Sequence, residues 1–302
     1  MITTEFFMDA VSVDRICDHI RALEGVRHPV TAPEALERAA DYITESLRSQ
    51  GYEMTEHLFL DNGRPFRNII ATRHGLNHPQ ERVVVLAHYD TVEGSPGADD
   101  NASGVAVLLE IATVLARFGF ERTVHFIAVS LEENRKIDDP GTGTRGSRAL
   151  AIHARENGWD IEGVIVLESV AFAGDTVVQT VPAGITIPVP ATGNFIAVVV
   201  NEMSKDLSDG FVRAVQRYRA DLPHVVLAVP GKGEMLPDSR RSDHAPFWDE
   251  GFRAVMVTDT TNFRSPHYHR PTDTLATLNP EFAAKVCCAT AGTVLEMARF
   301  TE

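Results

Sequence analysis

Basic residues are in short supply in this chain of 302 residues: 28 Lys and Arg stand against 42 Asp and Glu, a formal charge of -14. That deficit argues against a nucleic-acid partner, which would need a basic face. It does not by itself call for a cationic substrate, because acidic surface also serves solubility. Cysteine is scarce too. Cys17, Cys287 and Cys288 are the only three, and no CxxC occurs. Neighbouring cysteines on a helix diverge, so no disulfide framework is expected and a reducing compartment, the cytoplasm, is. The opening MITTEFFMDAVSVDRICDH sets acids early and has no basic start followed by an apolar stretch, so no secretory leader is expected. No apolar run approaches the roughly 20 residues that span a bilayer, and no membrane partner is expected. Internal repeats, low-complexity tracts and clear linkers are absent as well.

What is present is ordinary globular material, 44% hydrophobic and 23% charged, enough for a sizeable core. Apolar residues at helical spacing predict helices over APEALERAADYITESLRSQGY, SGVAVLLEIATVLARFG, RGSRALAIHAREN and NPEFAAKVCCATAGTVLEMARF. Strands are predicted over EMTEHLFL, RNIIATR, RVVVLAHYD, TVHFIAVSLEE, EGVIVLES, FIAVVVN, PHVVLAV and FRAVMVTD. The alternation implies one α/β domain over residues 1–302, with about 1–30 as an N-terminal extension. Its central sheet is mixed but mostly parallel, with helices on both faces. SVAFAGDTVVQTVPAGITIPVP and GKGEMLPDSRRSDH fit no part of that alternation.

Acids and histidines collect where such a sheet would place a site, beyond the carboxyl ends of its strands. His88 and Asp90 close RVVVLAHYD, Glu132 and Glu133 close TVHFIAVSLEE, and Glu168 closes EGVIVLES. Asp99 and Asp100 precede a helix, and His269 follows the strand FRAVMVTD in NFRSPHYHRPTD. Taken singly, each of these reads first as a solvated turn residue; independent turns would not all fall at one end of the sheet. Histidine with carboxylates and no cysteine suits zinc, manganese or cobalt in a hydrolytic role. His88, Asp100, Glu133, Glu168 and His269 set three carboxylates against two divalent ions, a balance that favours ionising a water near neutral pH. Asp90 shares a strand face with His88 and can orient its ring. Glu132 and Glu133 are adjacent and diverge, so one can bind metal while the other faces the attacking water as general base.

HYDTVEGSPGADDNASG, SLEE, GSRALA, VIVLES, SDHAPF and YHRPTDTL, in that order, resemble the co-catalytic zinc aminopeptidase family, whose relatives include glutamate carboxypeptidase and glutaminyl cyclase. The resemblance runs from about residue 30 to the C-terminus. It implies a three-layer αβα zinc-exopeptidase fold and two zinc ions, with a hydroxide attacking the carbonyl of the first peptide bond of a peptide substrate. It implies that His88 and Glu168 hold one zinc, Glu133 and His269 the other, and that Asp100 bridges them. A cis peptide after Asp100 is implied as well. Asp90 would orient His88, Glu132 would be the base, and Tyr268 or His244 would stabilise the oxyanion; His244 reads equally as a bonded wall residue.

Two departures stand out. Glutamate occupies position 168 where many members have aspartate, and NRKIDDPGTGT separates the double glutamate from Gly146 and Ser147. The insertion is expected to form a pocket rim, in which Asp138 and Asp139 either attract an ammonium group or are simply solvated. A carboxypeptidase or deacylase of the same fold stays open, with Arg264 or Arg270 as the cation for a terminal carboxylate. So does a non-catalytic peptide- or metal-binding module, against which the intact Glu132 and full ligand set speak. Glutaminyl cyclase fits less well, since such enzymes typically use one zinc.

Overall fold

Eight apolar runs pair into one twisted sheet, and helices cover it on both sides. The computed structural model describes residues 9–136 and 141–301; Asp138 and Asp139 lie outside them. In chain order the elements are α1 (Val13–Leu23), α2 (Pro33–Ser49), β1 (Glu53–Asp61), β2 (Arg64–Arg73), β3 (His78–His88), α3 (Gly104–Leu115), β4 (Arg122–Val129), α4 (Arg145–Glu156), β5 (Asp160–Glu168), β6 (Ile196–Asn201), α5 (Lys205–Tyr218), β7 (His224–Val229), α6 (His244–Asp249), β8 (Ala254–Thr258) and α7 (Pro280–Ala298). A two-residue pairing of Gly119–Phe120 with Phe300–Thr301 ties the chain end down.

The sheet runs β1-β2-β4-β3-β5-β8-β6-β7. Its middle four strands, β4, β3, β5 and β8, are mutually parallel, so their carboxyl ends meet at one edge. The hairpin β1–β2 joins antiparallel to β4, and β6 lies antiparallel to β8 with β7 parallel beyond it. Side chains alternate along β3: Val83, Val85 and Ala87 enter the core under α1, α2, α3, α5 and α7, whereas Val84 and Leu86 enter the core under α4 and α6. Both faces are therefore dry, as continuous apolar strands require.

Three helices go beyond those predicted from the sequence: α1, α5 and the short α6. In α1, Ile16, Ile20 and Leu23 recur at helical spacing and are buried, with Ser12 capping the first turn through the Arg15 amide at 3.2 Å. Residues 13–23, expected as part of an extension, thus belong to the main core. Glu110, buried in α3, anchors them: its carboxylate accepts the Ser12 amide at 2.7 Å and the Arg15 guanidinium at 2.7 and 2.9 Å. In α5, Leu207, Phe211, Val215 and Tyr218 form the buried stripe on an otherwise polar helix. Among the described residues, no helix is long and apolar enough to cross a membrane, and no disulfide joins Cys17, Cys287 and Cys288.

Candidate metal centre

Strand ends bring the acids and histidines together. His88 is the last residue of β3 and fully buried. Its Nε2 lies 3.2 Å from Asp100 Oδ1 and 3.6 Å from Glu168 Oε1, the latter at the end of β5. On the other side, His269 Nε2 lies 3.2 Å from Asp100 Oδ2 and 3.3 Å from Glu133 Oε2. Asp100 therefore turns one oxygen to each group. His88, Asp100 and Glu168 form one cluster and Asp100, Glu133 and His269 a second, the ligand atoms within each lying inside 4.8 Å of one another.

These side chains fit a pair of metal ions better than they fit each other. His88 Nε2, Asp100 Oδ1, Glu133 Oε1 and His269 Nε2 are all buried with no hydrogen-bond partner. Native interiors rarely leave such groups unpaired, and their residues gather in the two clusters that could each hold an ion. The donor set, imidazole and carboxylate without thiolate, suits zinc, manganese or cobalt.

The electrostatics agree. Burial works against a charge on His269, yet Glu133 and Asp100 outweigh it and carry it up to about 10. Burial likewise opposes ionising Asp100, but the bonds with His269 and His88 hold its carboxyl below the usual range. Burial, then the Asp100 charge, pushes Glu133 up to about 7. Burial also raises Glu132 well above its ordinary value; His88 opposes this, while Glu168, Glu133 and Asp243 add to it. Too much negative charge shares too few protons, and divalent cations would relieve exactly that shortage of positive charge.

A second ring of bonds holds the ligands. Asp100–Asn101 is a cis peptide, as the resemblance implied. Asn101 then clamps α3 to β5: its Nδ2 donates to the Leu167 carbonyl at 2.8 Å, and its Oδ1 accepts the Gly104 and Ser169 amides, both at 3.1 Å. Glycine is needed at 104, because a Cβ there would sit 2.2 Å from Asn101 Oδ1. Asp273 accepts the amides of Asp99 at 2.9 Å and Asp100 at 3.2 Å. Asp99 and Asp259 share a hydrogen bond beneath, burial raising both and the Asp259 carboxyl to about 6. Ser242 donates to Glu168 Oε2 at 2.6 Å, which leaves Oε1 to face His88.

Asp90 reaches both His88 and the backbone of the two glutamates. Its Oδ1 stands 3.5 Å from His88 Nδ1, a long contact, while its two oxygens accept the amides of Glu132 at 3.0 Å and Glu133 at 3.1 Å. It thus sets the backbone that aims both glutamates. Glu132 is half-buried and, with Asp100, Glu168 and Tyr268, lines a cavity of about 120 Å³. The Tyr268 ring stacks on His269 at 3.8 Å, and its hydroxyl accepts a bond from Arg241 Nη2 at 3.1 Å. His244 is not brought to this set. It is fully buried, its Nε2 2.7 Å from the Ser239 carbonyl and its ring edge-on to Trp248, and it does not line the cavity. Its placement is that of a bonded wall residue, away from the acid–histidine cluster.

Three further expectations move. Arg264 is buried and turned to backbone carbonyls, and Arg270 does not line the cavity; among the described residues Arg241 is the cation that does. None of the described residues of the 134–144 insertion lines the cavity. The insertion instead closes on itself through Thr144 N to the Glu132 carbonyl at 2.6 Å, and Arg135 forks onto Asp61 at the end of β1, with Nη1 to Oδ2 at 3.0 Å. The cavity wall comes from the two stretches that fitted no repeat: Val181 and Ile187 from one, Leu236 from the other, with Phe195, Leu227 and Met256 behind them.

Residues 68–294 match the family model described as Peptidase family M28. An uncharacterized Escherichia coli K12 protein, YfbL, is 30% identical over 289 residues, covering 88% of this chain and 83% of its own length. Aminopeptidase YwaD of Bacillus subtilis is 41% identical over 87 residues, which is 28% of this chain and 19% of that one. The crystal structure of an aminopeptidase from Aneurinibacillus sp. strain AM-1 superimposes with a TM-score of 0.74 over 99% of this chain and 97% of that one, at 16% identity, a likeness of fold.

Proposed function

The chain belongs to peptidase family M28, and from that premise we propose that it is a two-metal exopeptidase that releases the N-terminal residue of a peptide. One observation carries the reading: Asp100 directs one oxygen toward His88 and Glu168 and the other toward Glu133 and His269. The ions, zinc first with manganese or cobalt as alternatives, would supply Lewis acidity to the scissile carbonyl and to a water.

The remaining work falls to side chains. Glu132, held by the Asp90 carboxylate through its amide, takes the proton of the attacking water on its carboxylate and passes it to the leaving amine. Arg241 occupies the acceptor side of the Tyr268 oxygen, so the phenol O–H is free to donate to the developing oxyanion. The apolar cavity beside Glu132 receives the side chain of the N-terminal residue and excludes water from it. A carboxypeptidase of this fold would need a cation facing a terminal carboxylate. Arg241 is the candidate, but it is engaged by Tyr268 and by Asn262 Oδ1 at 3.0 Å.

Purified protein loaded with zinc tests the reading. It should hold two ions per chain, hydrolyse leucyl-anilide, ignore the N-acetylated analogue and lose activity to a chelator. Cleavage of the blocked substrate alone would favour the deacylase reading, and cleavage of N-acetyl-leucyl-leucine, which keeps a free terminal carboxylate, the carboxypeptidase reading. Bound metal with no hydrolysis of any of these would favour a binding module.

A further inference from the structure

Between β5 and β6 the chain runs through residues 170–195 without a helix or a named strand. It folds as a loose hairpin. The Gly193 amide donates to the Val177 carbonyl at 2.8 Å, Gly174 to Gly193 at 3.0 Å, and Gln179 to Ala191 at 2.9 Å. The tip carries Val181, Ile185, Ile187 and Val189 over the cavity.

A single buried cation stitches this strap to the loop after β8. Arg264 is 6% exposed. Its Nη1 donates to the Phe195 carbonyl at 2.9 Å and lies 3.3 Å from the Gly193 carbonyl and 3.5 Å from that of Phe172. Its Nε donates to Gln179 Oε1 at 2.8 Å, and its guanidinium carbon stands 4.5 Å from the Phe195 ring centre. The Thr180 amide and hydroxyl both donate to the Phe263 carbonyl, at 2.8 and 2.7 Å. Gly193 keeps the space open: a Cβ there would lie 3.1 Å from both Arg264 Cδ and Nε, and 2.8 Å from Val177 Cγ1. A planar fork with five donors can serve several carbonyls at once, which an ammonium cannot.

We infer that Arg264 is a specificity-determining positioning residue: by pinning the strap it sets the shape of the apolar wall that receives the substrate's N-terminal side chain. It touches no cavity-facing carboxylate and does not line the cavity, so its action runs through the strap. The inference rests on the aminopeptidase reading for what the pocket receives, though not for the pinning itself.

The test compares Arg264→Met, Arg264→Lys and Gly193→Ala with the natural chain, all zinc-loaded, on alanyl-, leucyl- and phenylalanyl-anilides. In Arg264→Met the preference in kcat/KM for leucyl over alanyl should fall about tenfold, carried by KM. Zinc content and kcat on the alanyl substrate should not change. Arg264→Lys should recover part of the preference. Gly193→Ala should shift it the same way as Arg264→Met, since its methyl crowds Val177 of the strap and Arg264 Cδ and Nε without removing the charge. Independently of substrate, the amides of Gln179, Thr180 and Gly193 should exchange with deuterium about tenfold faster in Arg264→Met. If Arg264→Met does not fold, Gly193→Ala and Arg264→Lys carry both readouts. An equal loss of kcat on all three substrates, or unchanged exchange at those amides, overturns the inference. An inactive natural chain would count against the aminopeptidase reading and leave the pin to be judged by exchange.

Discussion

The acid–histidine cluster and the apolar wall line one cavity, yet they are built differently. The cluster hangs from the ends of three parallel strands and the start of a buried helix, and buried hydrogen bonds from Asn101, Asp90, Asp273 and Ser242 hold its frame. The wall is backed by side chains of β6, β7 and β8, and its outer part hangs from a strap without helix or named strand, held to the loop after β8 by Arg264, Gln179 and Thr180. The frame of the chemistry rests on regular elements, and the outer contact with a variable substrate side chain is left to a strap that can change without disturbing the sheet.

That contrast can be broken from either side. The largest effect should come from the cluster. Glu132→Gln keeps the shape and removes the base, so turnover should fall about 10²–10⁴-fold with metal content intact. Near-native activity with metals bound would end the base assignment. Next is a supporting residue. Ser242→Ala removes the bond to Glu168 Oε2, and zinc affinity at the His88–Glu168 side should drop about 10–100-fold in chelator competition, with the other side unaffected. Equal affinity at both sides before and after would show that Ser242 supports nothing.

The smallest effect serves as a control remote from both regions. His125, in β4, is buried against Trp159 and bonded to Thr72 Oγ1 at 3.0 Å. Burial, with Arg82 and His74 adding repulsion, pulls it down to about 3. Above about pH 6.5, the ordinary histidine value, it is neutral folded or unfolded and costs nothing. As pH falls from there toward about 3, the unfolded chain takes up a proton the native protein refuses, so stability falls with acidity. His125→Phe should flatten that decline by about 1.4 kcal/mol per pH unit, read from urea unfolding at pH 4.5 and 7. An unchanged slope would mean that His125 is not held neutral.

The same contrast separates what could be read in the sequence from what could not. The eight strands and four long helices were legible because period-two and helical apolar patterns are local. The five proposed ligands were legible because parallel strands put their carboxyl ends at one edge. Helices α1 and α5 carry the same local periodicity, Ile16–Ile20–Leu23 and Leu207–Phe211–Val215. The wall was not legible. Gln179 and Arg264 meet across 85 positions and Ser242 and Glu168 across 74, and no local pattern records such a bond. For the same reason His244 looked available from its motif, while its partners, Ser239 and Trp248, put it in the core.

Counting zinc per chain in the natural protein and in Asp100→Ala tests the central claim most directly. The account predicts two ions in the former and the loss of at least one in the latter, because a single carboxylate serves both positions. A fully occupied pair in Asp100→Ala would contradict it.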